Sequence, residues 1–269
     1  MKTAIVVSVS RTAFEALASA DDVGVAFGLA RQHGFDAVEI AVRDPALVSA
    51  KDIATLAADH GLAIAAIGTG QAWVEEGLSL SSPDAGLRAR AMDRMRAQLR
   101  LGRELSAAVI VGLIRGTAEK AEVDPGLARL AEGLAALGQY ARELAGPGLL
   151  FEPINRYETR LVNSVEQAIA FLAPLGGLPV RILADTFHMN IEDRDLAGAV
   201  RSCGSRLGHV HFADSNRWAP GQGHIDFAPI LAALEGINYS GYLSAEIMPL
   251  PSTPEAFRLS GEFFRKVRK

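Results

Sequence analysis

The sequence predicts an α/β protein, a (β/α)8 TIM barrel formed by a single catalytic domain over residues 1–269. Three observations lead to this fold class. Apolar runs bounded by turn residues recur eight times, helical patterns separate them, and no linker or change of composition divides the chain. Eight such units fit into about 250 residues, the usual size of this barrel. Because 49% of the 269 residues are hydrophobic, the chain also has enough apolar side chains for one large core.

The eight apolar runs are the predicted strands. Most are rich in Val, Ile and Leu and do not alternate cleanly with polar residues, which is typical of parallel strands covered on both faces. In chain order they are Thr3–Val9, Ala37–Ile40, Ala63–Ile67, Ala107–Leu113, Leu149–Glu152, Val180–Asp185, Gly208–Phe212 and Tyr242–Ile247.

The segments between the strands carry helix signals. Ser82-Pro83 and Asp124-Pro125 each resemble an N-cap followed by proline at the first helical position. Ser164 and Gln167 have the spacing of a capping box. Asp84–Leu105 places its apolar residues near one face, so we expect a long helix that packs on the barrel.

A doubly wound open sheet is the competing fold. It would normally have a glycine-rich phosphate-binding turn after the first strand. Here that turn reads Val9-Ser10-Arg11-Thr12 and contains no glycine, which favours the barrel.

The charge and cysteine content exclude several classes of protein. The net charge is −4, and Lys and Arg are spread along the chain, which argues against a nucleic-acid partner. Cys203 is the only cysteine, so the chain forms no internal disulfide and no cysteine-rich zinc site. No apolar run is long enough for a signal peptide or a membrane span. We expect a cytoplasmic protein without a membrane partner; whether it forms a homo-oligomer is left open.

Four consecutive predicted strands deliver polar side chains at their carboxyl ends, where TIM barrels carry out their chemistry. These side chains are Glu152, Asp185, His211 and Glu246. Three crowded carboxylates repel one another, and a divalent cation resolves that repulsion through coordination. The set favours Mn²⁺, Mg²⁺ or Co²⁺, and Zn²⁺ is the alternative. His209, two residues deeper in its strand, is expected to be a core residue.

At these residues the sequence resembles the sugar isomerase/epimerase families of the xylose isomerase-like TIM barrels. Within them it is most similar to ketose 3-epimerases of the D-tagatose 3-epimerase type, and its N-terminal half to the 5-keto-L-gluconate epimerases. The C-terminal stretches that carry the resemblance are Phe151–Thr159, Ile182–Glu192, His209–Phe227 and Tyr242–Pro251. The N-terminal stretches are Gly34–Pro45, Ala66–Leu80 and Val109–Gly116.

The resemblance implies roles for seven residues. The four strand-end side chains would be the metal ligands, and Glu152 and Glu246 would also be the catalytic acid/base pair. Glu158, His188 and Arg217 would contact the substrate. The implied reaction inverts the carbon next to a ketone through an enediolate, whose charge a metal ion stabilises as a Lewis acid. One glutamate would serve each face of that carbon.

The substrate is predicted to be a small keto sugar or keto sugar acid, with 5-keto-L-gluconate and D-tagaturonate as the interconverted pair. An arginine near a strand end would hold the carboxylate. The candidates are Arg11, Arg43, Arg115 and Arg156, with Arg115 favoured because it directly follows a buried strand.

Other functions stay open at this point. They are 3-epimerisation of neutral ketoses such as D-tagatose and D-fructose, isomerisation of hydroxypyruvate or of aldoses and ketoses, and non-catalytic sugar binding. An apurinic-site endonuclease is a distant alternative, because its basic groove disagrees with the acidic net charge.

Overall fold

The computed structural model describes residues 1–9 and 23–267 and contains a closed barrel of eight parallel strands. Each strand pairs with its sequence neighbours, and the first pairs with the last, with Lys2 opposite Tyr242. The strands are β1 (Lys2–Ser8), β2 (Ala37–Ala41), β3 (Ala63–Gly68), β4 (Ala108–Val111), β5 (Leu149–Phe151), β6 (Val180–Asp185), β7 (Leu207–His211) and β8 (Tyr242–Ala245). This architecture confirms the predicted (β/α)8 fold class.

Helices surround the barrel in the described part of the chain. They are α1 (Val23–Gln32), α2 (Ala50–Asp59), α3 (Gly70–Glu76), α4 (Ala85–Leu105), α5 (Val123–Glu143), α6 (Val165–Leu172), α7 (Thr186–Glu192), α8 (Leu196–Cys203), α9 (Phe227–Gly236) and α10 (Thr253–Val267). None of the helices in the described ranges is both long enough and apolar enough to cross a membrane.

All eight predicted strands form, with differences of at most a few residues at their ends. The two that matter for function are β5 and β8, which end at Phe151 and Ala245. Glu152 and Glu246 therefore lie one residue beyond their strands, in the first position of the following loop. Asp185 and His211 are the last residues of β6 and β7, as expected.

Apolar packing is divided between the two sides of the barrel wall. Strand residues such as Ile5, Val7 and Val109 belong to the large cluster shared with the helices. Residues that alternate with these along the strands form a separate, smaller cluster, as expected for side chains of a strand that point to opposite faces. This inner cluster consists of Ala66, Ala108, Ile110, Leu150 and Leu183, which come from β3, β4, β5 and β6. A further pair, Val6 of β1 and Ala41 of β2, forms a small cluster of its own.

The helix starts correct two of the sequence predictions. The N-cap of α4 is Asp84, whose Oδ1 accepts from the backbone N–H of Gly86 and Leu87, whereas Ser82 lies two residues earlier. α5 begins at Val123, so Asp124 is inside the helix and is not its cap. The predicted cap Ser164 is confirmed, since its hydroxyl accepts from Gln167 N.

The turn after β1 was one basis for preferring the barrel. From residue 10 that turn lies outside the described residues, and so does Arg11. The closed strand order now establishes the barrel independently of the turn.

Candidate active site

The four strand-end residues come together at the carboxyl end of the barrel. One ligand atom from each of Glu152, Asp185, His211 and Glu246 lies within 4.8 Å of the others. Nδ1 of His211 is 3.4 Å from Asp185 Oδ2, 3.5 Å from Glu152 Oε1 and 3.7 Å from Glu246 Oε2. The parallel order of β5, β6, β7 and β8 explains the convergence, because neighbouring strands end at the same rim.

Three of these atoms are buried and have no hydrogen-bond partner among the described residues. They are Glu152 Oε1, Asp185 Oδ2 and His211 Nδ1. A buried polar atom without a partner costs roughly 1–3 kcal/mol, so three that face one point need an explanation. A divalent cation bound by these oxygen and nitrogen donors satisfies all three, and Mn²⁺, Mg²⁺, Co²⁺ and Zn²⁺ accept such ligands. The donor set therefore fits a divalent metal ion.

The carboxylates of the cluster differ in their affinity for protons. Burial raises the pKa of Glu246 to about 7, and the negative charges of Glu152 and Asp185 act in the same direction, while His211 and Arg217 oppose them. Burial also acts to raise the pKa of Asp185, but its histidine and arginine neighbours outweigh burial and bring it to about 2. The neighbouring positive groups thus overcome the effect of burial at Asp185 but not at Glu246.

Asp185 has a second role as the N-cap of α7. Its Oδ1 accepts from the backbone N–H of Phe187 at 2.7 Å and from that of His188 at 3.3 Å. This leaves Oδ2 directed toward the cluster. The same turn places His188, the third residue of α7, beside Glu152, with 3.8 Å between His188 Nε2 and Glu152 Oε1.

Asn155 connects two of the predicted substrate-binding residues. Its side-chain amide lies 2.7 Å from His188 Nδ1 and donates to Glu158 Oε1 at 2.9 Å. The backbone N–H of Asn155 also faces His188 Nδ1 at 3.5 Å. Because both groups are donors, Nδ1 is the acceptor and Nε2 carries the proton. His188 therefore presents an N–H to the cleft. Asn155 lies within Phe151–Thr159, one of the stretches that carry the family resemblance, but no role was predicted for it.

Arg217 lies between Glu246 and Glu158. Nη2 is 2.9 Å from Glu246 Oε2, Nη1 is 3.4 Å from Glu158 Oε1, and the guanidinium lies 4.9 Å from the ring centre of Phe187. The neighbouring carboxylates raise the pKa of Arg217 although burial opposes them. The three predicted substrate-binding residues thus lie beside the cluster, and two of them are paired with each other.

Asp214 organises the loop that carries Arg217. It is fully buried, and its carboxylate accepts from the backbone N–H of Ser215, Gly221 and Ile225 at 2.7, 2.8 and 3.1 Å. Burial alone would raise the pKa of Asp214, but these backbone donors lower it. The loop is thereby closed around one carboxylate, which holds Arg217 near Glu246.

A cleft opens beside the cluster. Its residues include Glu152, Glu158, His188, Arg217 and Glu246 on one side, and small residues from the ends of β2, β3 and β4 on the other, namely Ala41, Gly68, Gly70 and Gly112. At Gly112 a Cβ would lie 2.7 Å from Glu152 Oε2, so the absence of a side chain there makes room for the glutamate.

The prediction that Arg115 faces the cleft is wrong. This side chain is fully buried and donates to the backbone carbonyls of Gly112, Val111, Leu161 and Val162. Burial lowers the pKa of Arg115 to about 10, although Glu152 and Glu158 act to raise it. All its described contacts are to backbone oxygens and the face of Phe151, so Arg115 holds the loops after β4 and β5 together.

Two other arginines proposed for a carboxylate are also engaged elsewhere. Arg43 lies 3.9 Å from Glu76, and Arg156 forms an exposed pair with Glu192 at 2.7 Å. The fourth candidate, Arg11, is outside the described residues. Within the described ranges, Arg217 is the arginine that lines the cleft.

Glu39 was missed by the sequence reasoning. It lies in the middle of β2, is 1% exposed, and contacts Nε2 of both His209 and His211. His209 is buried as predicted, but its Nε2 hydrogen-bonds this carboxylate. A charged residue inside an otherwise apolar strand was the signal, since an unpaired buried carboxylate is costly.

Comparison with known proteins identifies the family. The family model described as xylose isomerase-like TIM barrel matches residues 27–267. The chain therefore belongs to the xylose isomerase-like TIM barrel family.

Relatives within this family are sugar epimerases. The chain is 33% identical to the L-ribulose 3-epimerase of Mesorhizobium japonicum over 223 residues, which cover 80% of this chain and 72% of the relative. It is 36% identical to the 3-dehydro-D-guloside 4-epimerase of Escherichia coli over 117 residues, 44% of each chain. The crystal structure of D-psicose 3-epimerase with D-tagatose from Clostridium cellulolyticum H10 matches the fold with a TM-score of 0.83 at 23% identity, over 100% of this chain and 98% of that one. The chain is accordingly an enzyme of the isomerase class, a sugar epimerase.

Proposed function

We propose that this enzyme inverts the hydroxyl-bearing carbon next to the ketone of a ketose, with a bound divalent ion and through an enediolate. The observation that carries the proposal is the convergence of Glu152 Oε1, Asp185 Oδ2 and His211 Nδ1, three buried atoms without described partners, beside Glu246. When bound there, the ion would stabilise negative charge on the substrate oxygens as a Lewis acid. Mn²⁺ is the proposed ion, and Mg²⁺, Co²⁺ and Zn²⁺ are alternatives.

Glu152 and Glu246 are the proposed acid/base pair. Inversion removes a proton from one face of the carbon and returns a proton to the opposite face, so it needs one such group on each side. The two glutamates follow β5 and β8, which are not neighbours in the barrel, and both line the cleft. The carboxyl group of each glutamate can take up and release a proton, as this exchange requires.

His188, Glu158 and Arg217 are proposed to bind the sugar. The Nε2–H of His188 is a donor suited to a sugar oxygen, and its tautomer is fixed by Asn155. Glu158 can accept from a hydroxyl group, and Arg217 can donate to an oxygen that gains charge in the reaction. All three line the same cleft as the glutamate pair.

A neutral ketose is the substrate class that the described cleft favours. Arg217 is already held by Glu246 and Glu158, and Arg43, Arg115 and Arg156 are engaged elsewhere. The 33% identical relative is named for its action on a neutral ketose, L-ribulose. The relatives also favour epimerisation over the apurinic-site endonuclease alternative.

The pair 5-keto-L-gluconate and D-tagaturonate is the second candidate. The resemblance of Gly34–Pro45, Ala66–Leu80 and Val109–Gly116 to the 5-keto-L-gluconate epimerases supports it. Arg43, Arg115 and Arg156 are engaged elsewhere, and Arg11, the fourth arginine considered for the carboxylate, lies outside the described residues.

The test is a sugar panel in D₂O followed by NMR. The protein is freed of metal, reloaded with Mn²⁺, and incubated with D-tagatose, D-fructose, 5-keto-L-gluconate and hydroxypyruvate. Deuterium should enter the carbon next to the ketone, and the inverted sugar should accumulate. A charge-assisted contact of roughly 1.5–3 kcal/mol would favour the sugar acid by about 10–150-fold in kcat/KM. Such a preference would establish the second candidate, and equal or better efficiency with a neutral ketose would exclude it.

Two results would overturn the proposal as a whole. One is full activity after exhaustive chelation with no metal found by elemental analysis. The other is transfer of the carbonyl to the neighbouring carbon without inversion, which would make the enzyme an aldose–ketose or hydroxypyruvate isomerase. Incubation of the sugars with Mn²⁺ in D₂O without protein is the control for background exchange of deuterium.

A further inference from the structure

A buried carboxylate, that of Glu39, lies beside the metal cluster and lines the same cleft. Glu39 is the central residue of β2, and its neighbours in the strand are Val38 and Ile40. Its Oε2 is 2.8 Å from Nε2 of His209, and both of its oxygens lie 3.1–3.2 Å from Nε2 of His211. All three residues are about 1% exposed.

The two contacts determine which ring nitrogens carry protons. Two imidazole nitrogens face the single carboxyl group of Glu39 at hydrogen-bonding distance, and this pairing with two N–H donors favours its carboxylate form. An ionised carboxylate only accepts hydrogen bonds, so both histidines present an Nε2–H to it. On His211 this arrangement directs Nδ1 toward Glu152, Asp185 and Glu246.

The two rings lie nearly perpendicular to each other, with an interplanar angle of 85° and 5.4 Å between their centres. Each ring therefore meets the carboxylate from a different direction. His209 supplies the shorter contact and restrains Glu39, and Glu39 in turn restrains the ring of His211. The three side chains form one chain of contacts that ends at a ligand atom of the cluster.

We propose that Glu39 is a positioning residue for the divalent-ion site, which holds His211 in the tautomer and orientation that present Nδ1 to the ion, and that His209 fixes Glu39. This inference rests on the metal site in the proposed function. Carboxylates that hydrogen-bond the far nitrogen of a ligating histidine are known to strengthen metal binding by about 10–100-fold. The hydrogen-bond lengths argue against the alternative in which Glu39, His209 and His211 bind an ion of their own.

Metal binding itself, without any sugar, provides the test. Mn²⁺ is titrated into metal-free protein and followed by electron paramagnetic resonance, and the visible spectrum of the Co²⁺-loaded protein reports the ligand geometry. The Glu39→Gln variant should bind Mn²⁺ about 10–100-fold more weakly and give an altered Co²⁺ spectrum. Both proteins should bind one ion per chain at saturation.

Further variants separate positioning from folding. Glu39→Asp keeps the charge and should recover part of the lost affinity. His209→Phe removes one donor to Glu39 but leaves every proposed ligand in place, and it should weaken Mn²⁺ binding by a smaller factor. Asp193→Asn, which alters a half-buried carboxylate at the end of α7 without touching the cluster, is the matched control and should bind Mn²⁺ like the wild type.

The outcomes are distinct. Wild-type affinity and an unchanged Co²⁺ spectrum in Glu39→Gln and His209→Phe would overturn the inference. Two ions in the wild type and one in Glu39→Gln would also overturn it, because Glu39 would then be a ligand of a second ion. If the wild type binds one ion but inverts no sugar, the proposed function fails while the role of Glu39 stands on the binding data.

Discussion

Arg217 donates to Glu246 at 2.9 Å, so the guanidinium proposed to bind the sugar is already paired with half of the proposed acid/base pair. The contact favours the ionised carboxylate, while burial raises the pKa of Glu246. Because a third group, Glu158, lies on the other side of the guanidinium at 3.4 Å, a sugar entering the cleft meets a preformed polar network.

Replacing Arg217 with Met should lower kcat/KM for the preferred sugar by about 10–150-fold, the loss expected for a charge-assisted contact of roughly 1.5–3 kcal/mol. The four proposed ligands remain, so Mn²⁺ should still bind. Steady-state kinetics and metal titration check both parts. Arg156→Met is the control, since Arg156 is exposed and does not line the cleft, so kcat/KM should stay unchanged. Equal kcat/KM in the wild type and Arg217→Met would remove Arg217 from the site.

Replacing either glutamate with Gln should reduce epimerisation by at least about 10²-fold, the lower end expected for a lost proton-transfer group. Because each glutamate serves one face of the carbon, the two variants should differ in which epimer still exchanges its proton with D₂O. NMR of each epimer with Glu152→Gln and Glu246→Gln measures this exchange. Normal turnover in both variants with metal bound would contradict the two-base mechanism.

The strand ends were predictable because they follow from topology. In a barrel of parallel strands, the carboxyl ends meet at one rim, so Asp185 and His211 had to approach Glu152 and Glu246 once the strands were recognised. Chain order and strand spacing sufficed for this prediction. The last residue of β5 was predicted one position late and that of β8 two positions late, which did not affect the convergence.

The direction of Arg115 was not predictable from its position. The chain leaves β4 in a short 3₁₀ turn, Leu113–Arg115, that directs the side chain into the protein, where four carbonyl oxygens receive it. Two of those carbonyls belong to Leu161 and Val162, which are distant in sequence, and a third belongs to Val111 of β4 itself. Glu39 was not predicted as a site residue because it lies in the middle of its strand, whereas the predicted ligands lie at strand ends.

A methyl group at residue 112 should disturb the metal site without unfolding the barrel. In Gly112→Ala the added Cβ would lie 2.7 Å from Glu152 Oε2, so the carboxylate has to shift from its present position. We expect weaker Mn²⁺ binding and a lower kcat. Gly236→Ala is the control, because nothing lies within 4 Å of a Cβ at the end of α9. Wild-type affinity for Mn²⁺ in Gly112→Ala would show that Glu152 binds no metal in that orientation.

A carboxylate outside the active site should make stability depend on pH. Asp193 follows α7, and its Oδ1 accepts from Val165 N at 3.3 Å, while Oδ2 is buried without a partner among the described residues. Burial raises the pKa of Asp193 to about 6, with a further contribution from Glu192 and Glu166. The folded protein therefore holds this proton more tightly than the unfolded chain, whose carboxyl has an ordinary value of 3.8.

The sign of the effect follows from proton linkage. The stabilisation from protonated Asp193 is complete below pH 3.8 and is lost as the pH rises to about 6, so an ionised Asp193 is unfavourable above that range. The Asp193→Asn variant stays neutral, and its Tm should exceed that of the wild type at about pH 7.5 but match it at about pH 4. Thermal unfolding of metal-free protein across this range measures the difference. As a control, Asp93→Asn replaces a carboxylate that is 77% exposed, and the difference between its Tm and that of the wild type should be the same at every pH. If the Tm difference for Asp193→Asn were also independent of pH, that result would contradict a raised pKa of Asp193.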